Sequence, residues 1–449
     1  MSTNQPLPDD QRVVITGAGW VTPLGTDIDT VWERLLNAES AVAPITHFDA
    51  STFATNFAAE VRDFKLSDFI EDDGLHSTAG LSTQYALAAC QNAFKAAKLD
   101  QHSIDPARIG VYLGAGEGVL DYEPYMAANV AAWDHEARAF NPKAWADTAY
   151  AGMTPAPELE QEPQLTALHI ARRFKAQGPN LNCMTACAAS TQAIGEAAEL
   201  IRMGEADAMI AGGCHAMIHT LGITGFIRLT AMSTRRDDPS TASRPFDVSR
   251  NGFVMGEGAG IVILESLASA KKRGANILAE ISGFGSTADA YRITDIHPDG
   301  QGGAGAMKLA LEQAGIDPHE LDEHGNPLVQ WINAHGTSTQ ENDKTESNAV
   351  RSVFQDNAMK VPFSSVKSML GHLIQAAGAV ELITCLKAIE TGKIPPTANL
   401  KEIDPVCGLD HIPGQARDCN PTGGVNATLS NSFGFGGQND CVCLTKYTG

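Results

Sequence analysis

A cysteine at a predicted strand-to-helix junction is the strongest candidate for chemistry in this sequence. Cys187 follows a short apolar strand pattern that begins at Leu181. The residues after it repeat at the spacing of one buried helical face, which contains Ile194, Ala197, Ala198 and Ile201. A thiol at a helix N-terminus meets unpaired N–H groups and the positive end of the helix dipole, and both favour the thiolate that attacks carbonyl carbon. We interpret Cys187 as a nucleophile, with a packed structural cysteine as the alternative.

Three further clusters carry groups that suit acyl-thioester chemistry. His335 lies just past a predicted strand in a hydroxyl-rich loop, and His372 begins an alanine-rich helix. The glycines of residues 431–437 permit positive φ and expose backbone N–H groups. Two neutral histidines can donate hydrogen bonds to a developing enolate oxygen, and the N–H groups of Cys187 and Phe435 can form an oxyanion hole. Cys187 would then accept the acyl group.

Alternating strand and helix patterns must hold these groups in place. Buried strands are predicted at residues 12–19, 109–118, 206–213, 261–264, 277–285, 328–334, 426–430 and 441–446. Helices are predicted at residues 29–37, 83–98, 165–175, 302–314 and 372–389. This alternation predicts stacked α/β layers.

The two halves of the chain have similar composition, which predicts a duplicated fold. We expect an N-terminal half over residues 11–270 and a C-terminal half over residues 275–447. Residues 119–163 show no clear period and are rich in proline and alanine. They predict an insertion over the core, of the kind that often shapes a substrate site.

One glycine-rich segment requires a separate test. Residues 12–19 form a strand pattern that runs into Gly17 and Gly19, like the start of a dinucleotide-binding fingerprint. The third glycine is missing, and no acidic residue ends a second strand about 20 residues later. We therefore expect a tight turn here rather than a nucleotide site.

Composition excludes several classes of protein. The 449 residues carry a net charge of −21, which argues against nucleic-acid or anionic-membrane binding. Nine cysteines without a Cys-x-x-Cys pair predict neither a disulfide framework nor a zinc ribbon, and they fit a reducing cytoplasm. We see no signal peptide and no apolar run near the roughly 20 residues of a membrane span.

The motifs around the candidate residues resemble those of the elongating β-ketoacyl-acyl-carrier-protein synthases of type II fatty-acid synthesis. The match covers roughly residues 11 to 446, in family order, through residues 185–190, 243–247, 252–260, 333–339, 367–372 and 431–437. The resemblance implies a thiolase-like α/β fold of five layers, α-β-α-β-α, assembled as a homodimer. It also implies an acyltransferase.

The resemblance assigns a role to each main catalytic residue. Cys187 would take an acyl chain from the phosphopantetheine of an acyl-carrier protein. Malonyl-carrier protein would then lose CO₂, and its enolate would attack the acyl thioester to give a 3-oxoacyl-carrier protein. His335 and His372 would stabilise the enolate, Lys367 would tune His372 and the charge of the site, and Glu381 would be the carboxylate near Lys367.

Other positions match supporting residues of the family. Thr337 and Thr339 resemble the hydroxyls that contact pantetheine, and Phe435 resembles the gate between the acyl pocket and the malonyl site. Asp343 and Glu346 match acidic positions behind the histidine loop. The resemblance implies no metal and no redox cofactor, because phosphopantetheine arrives on the carrier-protein substrate.

The acyl pocket departs from the family pattern. Phe226 is expected to line it, but Glu117 occupies a position where the family places an apolar or small residue. A buried carboxylate against a fatty chain would cost several kcal/mol unless it is paired or protonated. Either Glu117 turns away to a partner, or the substrate is not an ordinary long saturated chain. Gln438 also replaces a threonine that is common in the family.

Two other functions compete with a condensing enzyme. A non-catalytic, chain-length-setting partner subunit would typically lack the cysteine nucleophile, which this chain keeps. A cysteine hydrolase would use Cys187 and one histidine, leaving the second histidine and Lys367 unexplained. For docking an acidic carrier protein, the candidate cations are Arg228, Arg235, Arg236, Lys271, Lys272 and Arg273.

Overall fold

The computed structural model describes residues 7–71, 74–99, 104–116, 121–294 and 296–449. Its strands are β1 (Val13–Val21), β2 (Ala43–Pro44), β3 (Phe57–Ala58), β4 (Ile109–Ala115), β5 (Trp133–Asp134), β6 (Ala139–Phe140), β7 (Asn180–Cys183), β8 (Ala208–His215), β9 (Gly258–Ser266), β10 (Ala279–Ala288), β11 (Trp331–Asn333), β12 (Pro362–Ser364), β13 (Lys393–Ile394), β14 (Asp410–His411), β15 (Arg417–Asp418), β16 (Ala427–Gly434) and β17 (Gln438–Thr445).

The helices alternate with these strands along the chain. They are α1 (Ile28–Leu36), α2 (Leu81–Ala97), α3 (Tyr122–Ala132), α4 (Pro142–Gly152), α5 (Pro155–Leu159), α6 (Gln164–Phe174), α7 (Ala189–Arg202), α8 (Thr220–Arg228), α9 (Leu267–Arg273), α10 (Gln301–Ala314), α11 (Gln340–Phe354), α12 (Lys367–Leu370) and α13 (Ala377–Thr391). In the described ranges, each helix falls short of the length or apolar character that a bilayer crossing needs.

The main sheet contains the same five-strand pattern twice, as the duplicated composition predicts. Its order is β14-β12-β11-β16-β17-β10-β1-β9-β8-β4-β7. In chain order, the five strands of the N-terminal half are β1, β4, β7, β8 and β9, and those of the C-terminal half are β10, β11, β12, β16 and β17. In each half the first of these strands pairs antiparallel with the fifth, and the fifth pairs antiparallel with the fourth. The other pairings within each half are parallel. The halves join where β1 pairs with β10.

Helix packing divides the α/β fold into five layers. Helices α2 and α6 cover one face of the N-terminal half, and α10 and α11 form the corresponding layer of the C-terminal half. Between the two half-sheets, α7 packs on β8 and β4 and contacts α13, which packs on both β9 and β16. The largest hydrophobic core therefore includes residues of both halves.

The first strand of each half contains a matching pair of glycines. A Cβ on Gly17 or Gly19 would lie 2.3 or 2.2 Å from carbonyl oxygens of α2, and one on Gly283 or Gly285 would lie 1.9 or 2.1 Å from those of α10. Both strands also carry a register shift just before the first glycine. The expected tight turn at Gly17 and Gly19 is wrong: β1 continues to Val21 because these glycines let a helix pack directly on the strand.

The insertion has more regular structure than its sequence indicates. Residues 121–163 contain α3, α4 and α5 and the short β5–β6 hairpin. Helices α3 and α4 pack mainly on each other, which accounts for the lack of an amphipathic period toward the main core. The helix predicted over residues 372–389 begins later, at Ala377.

A buried aspartate in β17 is expected to make stability depend on pH. Asp440 is 1% exposed, and burial raises its pKa to about 7. Because the unfolded carboxyl has a pKa near 3.9, the folded state binds the proton more tightly and loses stability as pH rises from about 4 to 7. We expect Asp440→Asn to raise the free energy of unfolding by about 4 kcal/mol at pH 8 and to change it little at pH 4. Urea denaturation at both pH values measures this, and an equal effect at both would contradict it.

Candidate active site

Cys187 is presented by a strained turn between β7 and α7. The chain leaves β7 at Cys183 and makes a single 3₁₀ turn at Ala186–Ala188 before α7 begins. Ala186 has a φ of 48°, in a region that non-glycine residues rarely adopt. The thiol thus lies just ahead of the helix, close to the predicted position.

Three of the four predicted catalytic side chains, those of Cys187, His335 and His372, line one cavity of about 480 Å³. The Cys187 sulfur and ring nitrogens of His335 and His372 all lie within 4.8 Å of one another. The two imidazole rings are nearly perpendicular, at 86°, with centroids 5.4 Å apart. The same cavity is lined by the predicted Thr337, Thr339 and Phe435.

Buried carboxylates hold the loop that carries His335. Glu346, in α11, accepts hydrogen bonds from the backbone N–H groups of His335 and Gly336, both at 2.8 Å. Asp343, one turn earlier, accepts from the N–H of Ser338 at 3.1 Å. Both acidic residues therefore act on the backbone of the histidine loop.

The two histidines are neutral at physiological pH. Burial, reinforced by the positive charge of Lys367, holds the pKa of both His335 and His372 well below the usual range. No described residue hydrogen-bonds to Nδ1 of His335 or to either ring nitrogen of His372. Each ring can therefore turn an N–H group toward an oxygen bound in the cavity.

Lys367 and Glu381 form a buried ion pair beside the histidines. Both side chains are 2% exposed, and Lys367 Nζ donates to Glu381 Oε1. Burial raises the pKa of Glu381 to about 7, while the Lys367 charge opposes that rise. The pair brings a positive charge to the site without leaving it uncompensated.

Backbone N–H groups favour the thiolate of Cys187, as predicted, but burial has the larger effect on its pKa. Burial raises the pKa of this thiol to about 11, against the opposing effects of Lys367 and of the N–H groups of Phe435 and Cys187 itself. The thiol form therefore dominates at neutral pH. Those two N–H groups are also the ones expected to form the oxyanion hole, and they lie close to the sulfur.

The remaining predicted residues have different positions. The Thr337 and Thr339 hydroxyls are 3.1 Å apart, and Thr339 also caps α11. Phe226 does not line the cavity but packs, half-buried, against the apolar cluster that contains Cys187. Glu117 lies outside the described residues.

Sequence reasoning missed the aromatic walls of the site. The Phe253 ring meets His372 edge-on at 5.5 Å, and the Phe433 ring lies 5.8 Å from His335. Both line the cavity. Phe253 lies in the motif at residues 252–260 and Phe433 in the motif at residues 431–437. Their membership in these motifs could have indicated that they lie near the catalytic residues.

Known proteins match this chain over nearly its whole length. The family models "Beta-ketoacyl synthase, N-terminal domain" and "Beta-ketoacyl synthase, C-terminal domain" match residues 10–270 and 278–401. A Coxiella burnetii protein named 3-oxoacyl-[acyl-carrier-protein] synthase 2 is 40% identical, over 98% of this chain and 99% of its own.

Two solved structures are also similar. One, described as a type II PKS acyl-carrier protein in complex with its ketosynthase bound to the hexaketide, has a TM-score of 0.82 and 31% identity over 97% of this chain and 99% of its own. The other, the ishigamide ketosynthase/chain length factor, has a TM-score of 0.81 and 34% identity over the same shares of the two chains.

Proposed function

The chain belongs to the β-ketoacyl synthase family and is a condensing acyltransferase with a thiolase-like fold, and from this premise we propose how its own residues carry out the reaction. The enzyme condenses malonyl-carrier protein with an enzyme-bound acyl group to give a 3-oxoacyl-carrier protein, in fatty-acid elongation or a related polyketide-like pathway. The observation that carries the residue assignment is the meeting of Cys187, His335 and His372 within 4.8 Å.

Acyl transfer to Cys187 is the first step. The thiolate attacks the thioester carbonyl carbon of the acyl-carrier protein, and the pantetheine thiol leaves with the proton that Cys187 gives up. Lys367 and the N–H groups of Cys187 and Phe435 favour the thiolate. The same N–H groups then hold the oxygen of the tetrahedral intermediate.

Decarboxylation and condensation follow at the histidines. His335 and His372 donate hydrogen bonds to the malonyl thioester oxygen, so that the C–C bond electrons left by departing CO₂ are stabilised as an enolate. The enolate carbon attacks the acyl carbonyl, and the Cys187 thiolate is expelled. No step requires a metal or redox cofactor from the enzyme.

Supporting roles follow from position. Thr337 and Thr339 contact pantetheine from the cavity wall, and Phe435 acts as the gate. Asp343 and Glu346 hold the His335 loop in place. Phe226 packs against the apolar cluster that contains Cys187, where it would border an acyl chain carried on that residue.

The two halves divide the chemistry. The N-terminal half, residues 11–270, supplies the nucleophile, and the C-terminal half, residues 275–447, supplies the histidine pair and gate.

All nine cysteines are unpaired, which supports a reducing, cytoplasmic location. We propose a homodimer. A chain-length-setting partner subunit is the alternative, but this chain keeps the complete set of catalytic groups.

Mass spectrometry of the loaded enzyme tests the assignment directly. After incubation with an acyl-carrier protein, we expect a single added acyl group on the peptide that contains Cys187, because this thiol lies in the cavity with the histidine donors. A Cys187→Ala variant should remain unmodified. Acylation at another of the nine cysteines would contradict the assignment.

The cavity mouth offers cations for docking an acidic carrier protein. Arg228 ends α8 and is exposed, next to the cavity-lining Leu229 and Thr230. Arg235 and Arg236 follow on the same connection. We expect Arg228→Glu to raise the carrier-protein Kd about 3- to 10-fold at low salt, and this effect should shrink as salt screens the charges.

The other candidate cations supply the control. Helix α9 begins where β9 ends, beside the amino end of β8, whereas the site lies near the carboxyl end of β8. The length of β8 separates the two ends by roughly 25 Å. Lys272→Glu should therefore leave the Kd unchanged, and equal effects of the two variants would remove Arg228 from the docking surface.

A further inference from the structure

The three groups at the reaction centre also form a ligand set for a soft metal ion. We propose that Cys187, His335 and His372 bind Zn²⁺ and that the bound ion inhibits the enzyme by competing with acylation. This inference goes beyond the proposed function, because the catalytic cycle uses no metal. It gives the same three residues a second role as a site of inhibition.

Zinc binding requires only a small decrease in the distances between the three ligand atoms. In tetrahedral sites Zn–S is about 2.3 Å and Zn–N about 2.0–2.1 Å, which places neighbouring ligand atoms about 3.5 Å apart. The three ligand atoms are already within 4.8 Å, so side-chain rotations must close them by roughly 1 Å. The cavity of about 480 Å³ leaves the fourth coordination position to water.

Ring nitrogens of both histidines are free to coordinate a metal ion. In the described ranges, both ring nitrogens of His372 and Nδ1 of His335 make no hydrogen bond that a metal would have to break. Thiolate and imidazole are the ligands that zinc prefers. Binding forms a zinc–sulfur bond and releases the Cys187 thiol proton to solvent.

Buried carboxyl groups near the site offset part of the charge that the complex would carry. Zinc with one thiolate and two neutral imidazoles carries a net charge of +1. The ammonium group of Lys367 is already paired with Glu381. Glu346 is buried directly behind the His335 loop and adds a second carboxyl group.

Acylation and metal binding exclude each other. A thioester sulfur is no longer a thiolate, so the acyl-enzyme lacks the anionic ligand. Conversely, a metal on Cys187 blocks the nucleophile and occupies the histidine nitrogens that the enolate needs. Free enzyme should therefore be inhibited, while enzyme loaded with an acyl group should be protected.

Titration with Co²⁺, a coloured substitute for zinc, tests the site without turnover. We expect one Co²⁺ per chain with a sulfur-to-cobalt charge-transfer band, and at least about 100-fold weaker binding in Cys187→Ala. Cys183→Ala, which removes a cysteine four residues earlier, should bind as the wild type does. In unmutated enzyme, Zn²⁺ should slow iodoacetamide alkylation of Cys187, and prior acylation should abolish the cobalt band.

The opposite results are equally clear. A cobalt band that survives in Cys187→Ala, or alkylation of Cys187 that zinc does not slow, would overturn the proposal. The alkylation experiment needs no variant, so a folding defect cannot obscure it. If acyl loading fails but cobalt binds as expected, the catalytic assignment is wrong and the metal site stands.

Discussion

Replacing Cys187 with alanine is expected to lower condensation by at least about 10⁴-fold in kcat/KM. The variant loses the thiol that we propose carries the acyl chain between the two half-reactions. Decarboxylation of malonyl-carrier protein should remain measurable, because His335 and His372 keep their positions around the thioester oxygen. Separate assays of 3-oxoacyl product and released CO₂ distinguish the two steps.

Cys183→Ala is the matched control for this experiment. It removes a half-buried thiol from the end of β7 and leaves the turn at Ala186–Ala188 in place. Its condensation rate should stay near that of the wild type. Condensation at the wild-type rate by Cys187→Ala would show that another residue carries the acyl group.

Alanine at either His335 or His372 is expected to slow CO₂ release by about 10²–10³-fold, the usual loss when one oxyanion donor is removed. Acylation of Cys187 should continue, because neither ring is needed to accept the acyl group. Lowering the pH to 6 should not restore the rate of either variant. Burial holds the pKa of both histidines well below the usual range, so the imidazole that remains should still be neutral at pH 6. The measurement is CO₂ release from malonyl-carrier protein between pH 6 and 8.

A variant of another buried histidine, His411, serves as the control. It distinguishes the loss of a hydrogen-bond donor in the cavity from a general loss of folded protein. His411 has its pKa lowered to about 4 by burial, and it hydrogen-bonds to a backbone carbonyl outside the cavity. His411→Gln should lower stability more than turnover. Normal CO₂ release by both active-site variants would remove the histidines from enolate stabilisation.

Much of the site could be predicted because its residues sit in local patterns. Cys187 and His335 each follow a strand of the sheet, and parallel strands bring their carboxyl ends to one edge, whereas His372 lies between α12 and α13. The motifs also gave the family and thus the layered fold. Spatial proximity itself came only from the structure, since residues 187 and 372 are far apart in sequence.

The failures have physical causes that lie outside local sequence. The N–H groups around Cys187 favour its thiolate, as predicted, but burial has the larger effect on its pKa, and that burial comes from residues of both halves. Gly17 and Gly19 have the composition of a turn, yet their role is set by a helix that packs on them about 70 residues later. The helices of residues 121–163 pack on each other, so their pattern does not point to the core.

The shared middle layer has a consequence for how this enzyme folds. Helices α7 and α13 complete each other's core, and the first strands of the two halves pair directly. Neither half can bury its apolar surface alone, so the chain should fold as one cooperative unit with many contacts between distant residues. Such a topology folds slowly. Catalytic activity should then return only with the last phase of refolding, which makes turnover a sensitive reporter of complete assembly.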